Sequence, residues 1–312
     1  MKKTIRIGTR GSQLALYQAE KVKATLENIF PELQVELKII KTKGDKILDV
    51  ALSKIGDKGL FTKEIENELL DRSVDLAVHS LKDLPTKLPE GLKLGAVLER
   101  GEFRDALVSL DGKKLSDLKA GDVVATSSLR RIAGLLKINP QIIIKDIRGN
   151  VNSRLKKMED GYCDAMIMAA AGLQRLGLEK YITEIIDPEV LMPAVSQGAI
   201  AIETRLNDPE VDLLMEKLNH QETWNTIIAE RAFLAHLEGG CQVPLGCYSK
   251  IENGILNMSG FVASVDGKQY IREDISGEIT NDAEIGVQLG EKMLKRGALE
   301  ILNQIKTANH TH

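Results

Sequence analysis

A thiol lies in an unusual setting in the segment GGCQVPLGCY, residues 239–248, where Cys241 follows two glycines and precedes Pro244. Glycines remove side-chain cover and allow positive φ, while proline stiffens the chain beyond the turn. We therefore expect Cys241 on a fixed and accessible loop, where its thiol is available for chemistry. A structural thiol at a turn fits the same residues, and His236 on the preceding helix raises a Cys–His nucleophile pair as a further alternative.

Four polar turns follow predicted strands in the first half of the chain. Their sequences are GTRGS (8–12), HSLKDLP (79–85), TSSLRR (126–131) and RGNVNSR (148–154). Ligands of open α/β sheets bind outside the carboxyl ends of the strands, so these turns are predicted to face one cleft.

The turns carry an excess of cations and hydroxyl groups. In TSSLRR, Ser127 or Ser128 can cap a helix whose first N–H groups attract anions, and Arg130 and Arg131 add guanidinium charge. An ordinary helix cap followed by solvated arginines fits the same segment. Several cations at several turns favour a ligand with several negative charges. The remaining cations singled out in these turns are Arg10, Arg148 and Arg154.

Asp83 is the acidic group among these cationic turns. A carboxylate surrounded by anion-binding groups is costly to desolvate unless it serves a cationic centre. Asp83 is therefore a candidate for stabilising a positive intermediate or accepting an N–H, with a Lys82–Asp83 surface pair as the alternative. His79, in the same turn, is expected to be hydrogen-bonded at a strand end rather than bound to a metal.

The sequence contains no recognisable metal or nucleotide motif. Cys241 and Cys247 lack a second CxxC or a nearby HxxxH, so no metal site is expected. Neither a GxxxxGKS/T loop nor a GxSxG turn occurs. Aromatic residues make up only 4% of the chain and the net charge is −3, which argues against a nucleic-acid partner.

The expected location is the cytoplasm. The start, MKKTIRIGTR, has no apolar core behind its basic residues, and the longest apolar stretch, at 165–173, is far shorter than a membrane span. Three cysteines, Cys163, Cys241 and Cys247, leave at least one thiol unpaired, and reduced thiols are the default for an unexported chain of this size. We therefore expect neither export nor a membrane partner.

A repeated pattern of β-branched run, polar turn and amphipathic stretch predicts an α/β fold up to about residue 200. Predicted strands include 4–8, 35–40 and 74–80, with helices from Ser12 to about Phe30 and over 63–72. Three further strand–helix units are predicted at 122–138, 141–161 and 164–177. The charged run near Leu98–Arg104 marks a domain boundary.

The last third of the chain is predicted to form a small α+β domain. A long helix ends at Gly239-Gly240, and alternating runs follow, separated by Asn253-Gly254 and Asp266-Gly267 turns. Such turns predict antiparallel strands. Residues 282–305 are predicted to close the chain as one helix.

Over nearly its whole length the chain resembles the porphobilinogen deaminase family, also called hydroxymethylbilane synthases. The motifs that carry the resemblance are, in order, GTRGSQLAL, KGDKILD, GDKGLFTKEIE, DLAVHSLKDLP, TSSLRR, RGNVNSRL, AAAGLQRLG, PAVSQGAIAIE, LNHQET and EGGCQVPLG. The resemblance implies two α/β domains similar to periplasmic binding-protein lobes and a small α+β domain. The implied ranges are 1–99 with 198–220, then 100–197, then 221–312, with 196–205 as the strand that returns to the first domain.

The resemblance also implies a reaction. It describes a transferase of haem and tetrapyrrole biosynthesis that joins four porphobilinogen molecules and releases hydroxymethylbilane. The thiol at the position of Cys241 carries a dipyrromethane cofactor through a thioether, and the carboxylate of Asp83 binds pyrrole N–H groups and stabilises the cation formed when ammonia leaves. Porphobilinogen is the implied partner, and a monomer is the implied state.

Because each porphobilinogen carries an acetate and a propionate, the family requires many arginines. The resemblance assigns further cofactor contacts to Asp45, Ser12, Lys82, Thr126, Ser127, Ser128, Arg130, Arg131, Arg148, Asn150 and Arg154. It assigns substrate contacts to Arg10, Arg148, Arg154, Arg175 and Gln197. Residues 44–61, with Lys58 and Phe61, correspond to a mobile cover. Lys43 and Asp57 stand where many members of the family have arginine and glycine, so we expect the charge of this loop to differ, since Asp57 adds a carboxylate.

Two other functions compete with this interpretation. A non-catalytic polycarboxylate-binding protein with the same two-lobed fold requires an export signal and gives Cys241 no role. A thiol hydrolase using Cys241 and His236 requires an oxyanion hole, for which no motif is present. Cys247 is expected to be a buried bystander.

Overall fold

The structure is a computed structural model and describes residues 3–46, 59–237 and 243–310. Cys241 and Lys58 lie outside these ranges, as do Asp57 and most of the predicted cover. The described residues form two compact units. The first combines those up to Gly101 with Gly198–Trp224, and the second combines Glu102–Gln197 with those from residue 225 onward.

The secondary structure alternates strands and helices up to the C-terminal third. The strands are β1 (Thr4–Thr9), β2 (Gln34–Ile39), β3 (Leu76–Ser80), β4 (Leu92–Val97), β5 (Asp105–Ser109), β6 (Val123–Ala125), β7 (Ile143–Lys145), β8 (Ala165–Ala169), β9 (Ile182–Ile185), β10 (Ile200–Arg205), β11 (Leu245–Glu252), β12 (Ile255–Ala263) and β13 (Tyr270–Glu278). The helices are α1 (Gln13–Ile29), α2 (Lys43–Lys46), α3 (Lys63–Leu70), α4 (Leu129–Ile138), α5 (Val151–Glu159), α6 (Ala170–Arg175), α7 (Pro209–Leu218), α8 (Gln221–His236), α9 (Asp282–Lys295) and α10 (Ala298–His310).

The sheet of the first unit has the strand order β2-β1-β3-β10-β4. β1 runs parallel to β2 and β3, whereas β10 runs antiparallel to β3 and β4. Ile5 and Ile7 of β1 are both fully buried, because alternate residues of a strand point to the same face. β10 is the strand predicted within 196–205, and it lies in this sheet.

Helix α1 packs on this sheet through one apolar face. Ser12 is its N-cap, and the Ser12 hydroxyl accepts a hydrogen bond from the amide of Ala15 at 3.3 Å, as predicted. Ala19, Val22 and Leu26, spaced three and four residues apart, are fully buried in the same core as β1.

The middle sheet, in the second unit, has the strand order β7-β6-β8-β5-β9. β6 runs parallel to β7 and β8, and β5 runs antiparallel to β8 and β9. The three strand–helix units predicted between 122 and 177 are confirmed as β6 with α4, β7 with α5 and β8 with α6. The sequence patterns did not reveal β4, β5 or β9.

The C-terminal sheet, also in the second unit, consists of antiparallel β11, β12 and β13. Asn253 and Gly254 connect β11 to β12 and both have positive φ, as a type I′ hairpin turn requires. A longer connection containing Asp266-Gly267 joins β12 to β13. Both predicted hairpins are therefore confirmed.

The prediction of one closing helix is wrong, because the segment forms the two helices α9 and α10. They are separated at Gly297, whose φ is +95°. Glycine adopts this left-handed conformation without a steric cost, and its amide donates to the carbonyl of Leu294. The amphipathic pattern continues across the break, which is why the sequence suggested a single helix.

The fold is therefore α/β over its two five-stranded sheets, with a small α+β part at the carboxyl terminus, as predicted. Within the ranges that the structure describes, none of the helices has the length and apolar character needed to cross a membrane.

Candidate active site

The four polar turns form two neighbouring pairs. β1 and β3 are parallel neighbours, so GTRGS and HSLKDLP lie at the same edge of the first sheet. β6 and β7 are also parallel neighbours, which places TSSLRR beside RGNVNSR in the second unit. Ser127 Oγ joins the second pair directly by donating to the carbonyl of Ile147 at 2.6 Å. Each unit thus gathers one group of predicted site residues.

In the first unit, Arg10 is paired with Asp45. Arg10 Nε and Nη2 lie 3.1 and 2.5 Å from Asp45 Oδ1, and the guanidinium carbon lies 4.2 Å from the centre of the Phe61 ring. Thr42 donates to Asp45 through its amide and its hydroxyl. Burial raises the pKa of Asp45, but the hydrogen bonds from Arg10 and Thr42 outweigh it and leave the pKa below its usual value. The side chains of Arg10 and Asp45 remain 25% and 29% exposed, so a ligand can reach this pair.

Asp83 ends a 3₁₀ turn, Leu81–Asp83, that directly follows β3. Leu81 is fully buried, Lys82 is partly exposed and Asp83 is exposed. The turn therefore buries Leu81 and leaves Asp83 open to solvent. An exposed carboxylate is available to a cationic partner.

The turn that carries Asp83 is fixed on both sides. Ser80 Oγ accepts a hydrogen bond from Gln18 Nε2 of α1 at 2.9 Å, and the amide of Leu81 donates to the carbonyl of Ala199. His79 Nε2 lies 3.0 Å from the buried Glu203 Oε2, in agreement with its predicted hydrogen-bonded role. These contacts hold the turn to α1, to the segment before β10 and to β10 itself.

In the second unit, the turn before α4 is held by its own hydroxyl groups. Ser128 occupies the N-cap position, yet its side chain makes no capping hydrogen bond. The amide of Ser128 donates instead to Thr126 Oγ1 at 3.3 Å, and Ser127 Oγ is bound to Ile147. Ser128 is therefore at the predicted N-cap position, but its hydroxyl does not bind the first amides of α4.

Arg130 and Arg131 converge on Asp105, which the sequence analysis did not identify. Arg130 Nη1 lies 2.8 Å from Asp105 Oδ2, and Arg131 Nη2 lies 2.7 Å from Asp105 Oδ1. The exposed fraction of the side chain is 5% for Arg130, 8% for Arg131 and 0% for Asp105. Burial raises the pKa of Asp105, but the charges of the two arginines outweigh it and hold the pKa well below its usual range. Asp105 is thus an ionised carboxylate in a buried cluster.

The side-chain amide of Gln197 is also hydrogen-bonded to this cluster. Gln197 Nε2 donates to Asp105 Oδ1 at 2.9 Å and to the carbonyl of Phe103 at 2.8 Å. Arg130 Nη1 donates to the carbonyl of Met192 as well. Gln197 and Arg130 were predicted to donate hydrogen bonds to the ligand. In this structure Gln197 Nε2 and Arg130 Nη1 instead donate to groups of the protein. Arg131 Nε, in contrast, is buried and finds no hydrogen-bond partner within the described ranges.

A sequence signal for Asp105 was present. It is the last residue of ERGEFRD, the run that marks the domain boundary, and it opens the apolar strand β5. A carboxylate at the start of a buried strand requires a cation, and Arg130 and Arg131 are the cations that the fold supplies. Only the tertiary structure shows that they meet.

The turn after β7 contains a partly buried arginine, Arg148. Asn150 Oδ1 caps α5 by accepting from the amide of Ser153 at 2.9 Å, and Arg154 Nε donates to the carbonyl of Gly149. Arg148 Nη1 is buried and has no hydrogen-bond partner among the residues that the structure describes. A buried donor without an acceptor is costly, so this atom is suited to receive an anionic ligand.

The structure also describes Arg175 and Cys247, two further residues that the sequence singled out. Arg175 ends α6 and is partly exposed. Cys247 is fully buried, as predicted. Among the residues that the structure describes, no three His, Cys, Asp or Glu side chains are grouped as metal ligands. A surface pocket of about 500 Å³ contains no predicted site residue and is lined by Asp111, Gly112, Lys113, Ser116, Asp117 and Lys119.

Among solved structures, the chain is similar to a probable amino-acid ABC transporter extracellular-binding protein from Bacillus subtilis. The identity is 16% and the TM-score is 0.44, over 70% of this chain and 90% of that protein. The two proteins are too dissimilar for this likeness to bear on the function of the chain.

Family profiles and curated relatives match the chain far more closely. The profile of the porphobilinogen deaminase dipyrromethane cofactor binding domain matches residues 5–213, and that of the porphobilinogen deaminase C-terminal domain matches 224–295. Porphobilinogen deaminases of Chlorobium phaeovibrioides and Chloroherpeton thalassium are each 49% identical to the chain. The first match covers 98% of the chain and 99% of its relative, and the second covers 99% and 100%. The chain belongs to the porphobilinogen deaminase family, whose members are transferases with a dipyrromethane cofactor binding domain.

Proposed function

We propose that the chain removes ammonia from porphobilinogen, joins four of these molecules head to tail on a dipyrromethane primer and releases hydroxymethylbilane. The observation that carries the proposal, in a chain of this family, is the buried Nη1 of Arg148, for which the described residues provide no acceptor. A carboxylate ligand would satisfy it.

The residues of the second unit fit the dipyrromethane cofactor. Each of its two rings carries an acetate and a propionate, which require cationic donors. Arg148 Nη1 and Arg131 Nε are buried, and the described part of the chain offers neither a partner. The first amides of α4 receive no cap from the Ser128 side chain. When bound, the cofactor supplies the pyrrole carbon to which the next ring is joined.

Asp83 is the proposed catalytic residue. Its carboxylate accepts hydrogen bonds from pyrrole N–H groups and offsets the positive charge that develops when ammonia leaves. The exposure of Asp83 and the 3₁₀ turn that fixes its backbone support this role, because a ligand can reach the carboxylate at a defined point of the chain.

The remaining predicted residues act on the carboxylates of the bound rings. Arg130 and Gln197 do so through Asp105, which they hold beside Arg131. Arg10 exchanges part of its pairing with Asp45 for a substrate carboxylate, since this pair remains partly exposed. The other proposed donors are Ser12, Lys82, Thr126, Ser127, Ser128, Asn150, Arg154 and Arg175.

The proposal includes further features of the family. Cys241 holds the cofactor through a thioether, because a soft thiolate captures the same electron-poor species that turnover generates. The chain has three domains, 1–99 with 198–220, 100–197 and 221–312, a division supported by its three sheets. It acts in the cytoplasm as a monomer, and Lys58 and Phe61 belong to a mobile cover.

Intact mass spectrometry tests this function. We expect protein isolated from cells, or apo-protein incubated with porphobilinogen, to carry the added mass of two joined pyrrole units. Cys241→Ser protein should stay at its polypeptide mass and produce no hydroxymethylbilane. Wild-type protein that gains no mass from porphobilinogen would contradict the proposal. That result would favour the polycarboxylate-binding alternative, which family membership now disfavours.

A further inference from the structure

The connection between β12 and β13 touches the backbone of helix α4. A Cβ atom placed on Gly267 would lie 2.4 Å from the carbonyl oxygen of Ala133 and 2.9 Å from the amide nitrogen of Lys137. Both distances are shorter than van der Waals contact allows, and both involve main-chain atoms of the helix. The hairpin and α4 can therefore approach this closely only with glycine at position 267.

The connection is too rigid to move aside easily. Asp266 Oδ1 accepts hydrogen bonds from the hydroxyl of Ser264 at 2.6 Å and from the amide of Lys268 at 3.1 Å. The amide of Gly267 donates to the carbonyl of Ser264, and the amide of Gln269 donates to Ser264 Oγ. A side chain added at residue 267 would therefore push against the helix rather than deform only the turn.

A second close contact lies at the other end of α4. A Cβ atom placed on Gly246 of β11 would lie 2.6 Å from the carbonyl oxygen of Pro193 and 3.0 Å from Arg130 Cδ. The C-terminal sheet thus touches the aliphatic part of Arg130, whose guanidinium group is bound to Asp105.

Aromatic contacts join the two glycine positions. Phe261 and Tyr270 stack with their ring centres 4.8 Å apart, and Lys137 Nζ lies 3.7 Å from the centre of the Tyr270 ring. The C-terminal sheet therefore contacts α4 from Arg130 in its first turn to Lys137 in its last turn.

We propose that Gly246 and Gly267 are positioning residues, through which the C-terminal sheet sets the place of α4 and of the Ser128, Arg130 and Arg131 groups at its start. The inference rests on the proposed role of this turn in binding the cofactor. It adds that the sheet following the cofactor-carrying segment also fixes the turn whose donors, among them Arg131 Nε, are proposed to bind the cofactor carboxylates.

Gly254 provides a matched control for Gly267. Both glycines lie in hairpin connections of the same sheet, with φ of +76° and +72° respectively, so alanine is strained at either position. A Cβ atom on Gly254, however, would have no heavy atom within 4 Å. The two substitutions differ in the contact with α4.

The test follows cofactor loading. Apo-protein is made in a host that cannot make porphobilinogen and is then incubated with porphobilinogen. Intact mass spectrometry measures the fraction of protein that gains two pyrrole units. The temperature is one at which circular dichroism shows every variant to be folded. We expect Gly267→Ala to raise the half-saturating porphobilinogen concentration about fivefold or more, the loss for one weakened charge-assisted hydrogen bond. For Gly254→Ala we expect less than about a twofold change, since no bond to the ligand is affected. Equal values for the two variants would overturn the inference.

A second pair of variants tests the inference if Gly267→Ala does not fold. Gly246→Ala crowds Arg130 and Pro193, whereas Gly260→Ala crowds Phe233 and Leu289 within the C-terminal core. We expect the larger loss of loading for Gly246→Ala, and equal losses would overturn the inference. Wild-type protein that gains no mass would instead defeat the proposed function itself, so the two failures are distinguishable.

Discussion

The Arg10–Asp45 pair of the first unit and the Arg130–Arg131–Asp105 cluster of the second unit differ chiefly in burial. Both place guanidinium groups against a carboxylate beside strand-end turns. The side chains of the first pair are 25% and 29% exposed, whereas those of the cluster are 5%, 8% and 0% exposed. In both places hydrogen bonds and positive charge lower the pKa of the aspartate.

The difference shows which charges can be exchanged for a ligand. Water competes with an exposed ion pair, so opening the Arg10–Asp45 pair costs little. Removing one member of a buried cluster leaves an uncompensated charge in the core, which costs far more. We therefore interpret the Asp105 cluster as a fixed part of the fold and the Arg10 pair as one that a substrate carboxylate can open.

The largest expected effect comes from Asp105→Asn. The substitution keeps the size of the side chain but leaves Arg130 and Arg131 without their buried countercharge. We expect the free energy of unfolding in urea to fall by about 3–5 kcal/mol. A fall below about 1 kcal/mol, the range of surface pairs, would contradict the distinction between the two sites.

Acid should weaken the cluster in a defined pH window. The pKa of Asp105 is lower in the folded than in the unfolded protein, so its stabilising contribution is complete above the unfolded value of about 3.9. The contribution is lost as the pH falls from there through the folded pKa. Urea unfolding should show a constant difference between wild type and Asp105→Asn above about pH 5 and a shrinking one below about pH 4. A difference that shrinks between pH 7 and pH 5 would mean that another group is responsible.

A much smaller effect on stability is expected from Asp45→Asn than from Asp105→Asn. Because the pair is partly exposed, we expect the free energy of unfolding to change by less than about 1 kcal/mol. Added salt should reduce even this difference, since it screens exposed charges more than buried ones. Parallel urea titrations at low and high salt measure both effects. A salt-independent loss as large as that of Asp105→Asn would contradict the distinction between an exposed pair and a buried cluster.

Local patterns were sufficient to predict much of the fold. The Ser12 cap, the strand–helix units of the middle sheet and the hairpin at Asn253-Gly254 depend on residues close in sequence. The break at Gly297 was missed because apolar spacing continues on both sides of it. Positive φ at a glycine cannot be read from such spacing.

Contacts between distant segments could not be predicted in this way. Asp105 contacts Arg131 and Gln197, which are 26 and 92 residues away in the sequence. The order of the strands in the sheet brings these residues together, and local patterns do not contain that order. The sequence likewise identified Asp83 as chemically unusual, but its exposure follows from the 3₁₀ turn that buries Leu81. The types of these residues indicated an anion-binding site with one carboxylate. Their burial, which only the structure gives, distinguishes the charges that a ligand can reach from those that are paired inside the protein.

The role of Asp83 is tested most directly by comparing Asp83→Asn with Asp105→Asn, the same substitution at an exposed and a buried carboxylate. The measurement is porphobilinogen turnover by protein shown by intact mass to carry the cofactor. We expect Asp83→Asn to lower turnover by about 10²–10³-fold, the loss typical of one electrostatic stabiliser. Its free energy of unfolding should stay within about 0.5 kcal/mol of wild type. Cofactor-loaded Asp83→Asn protein that turns over at the wild-type rate would contradict the account.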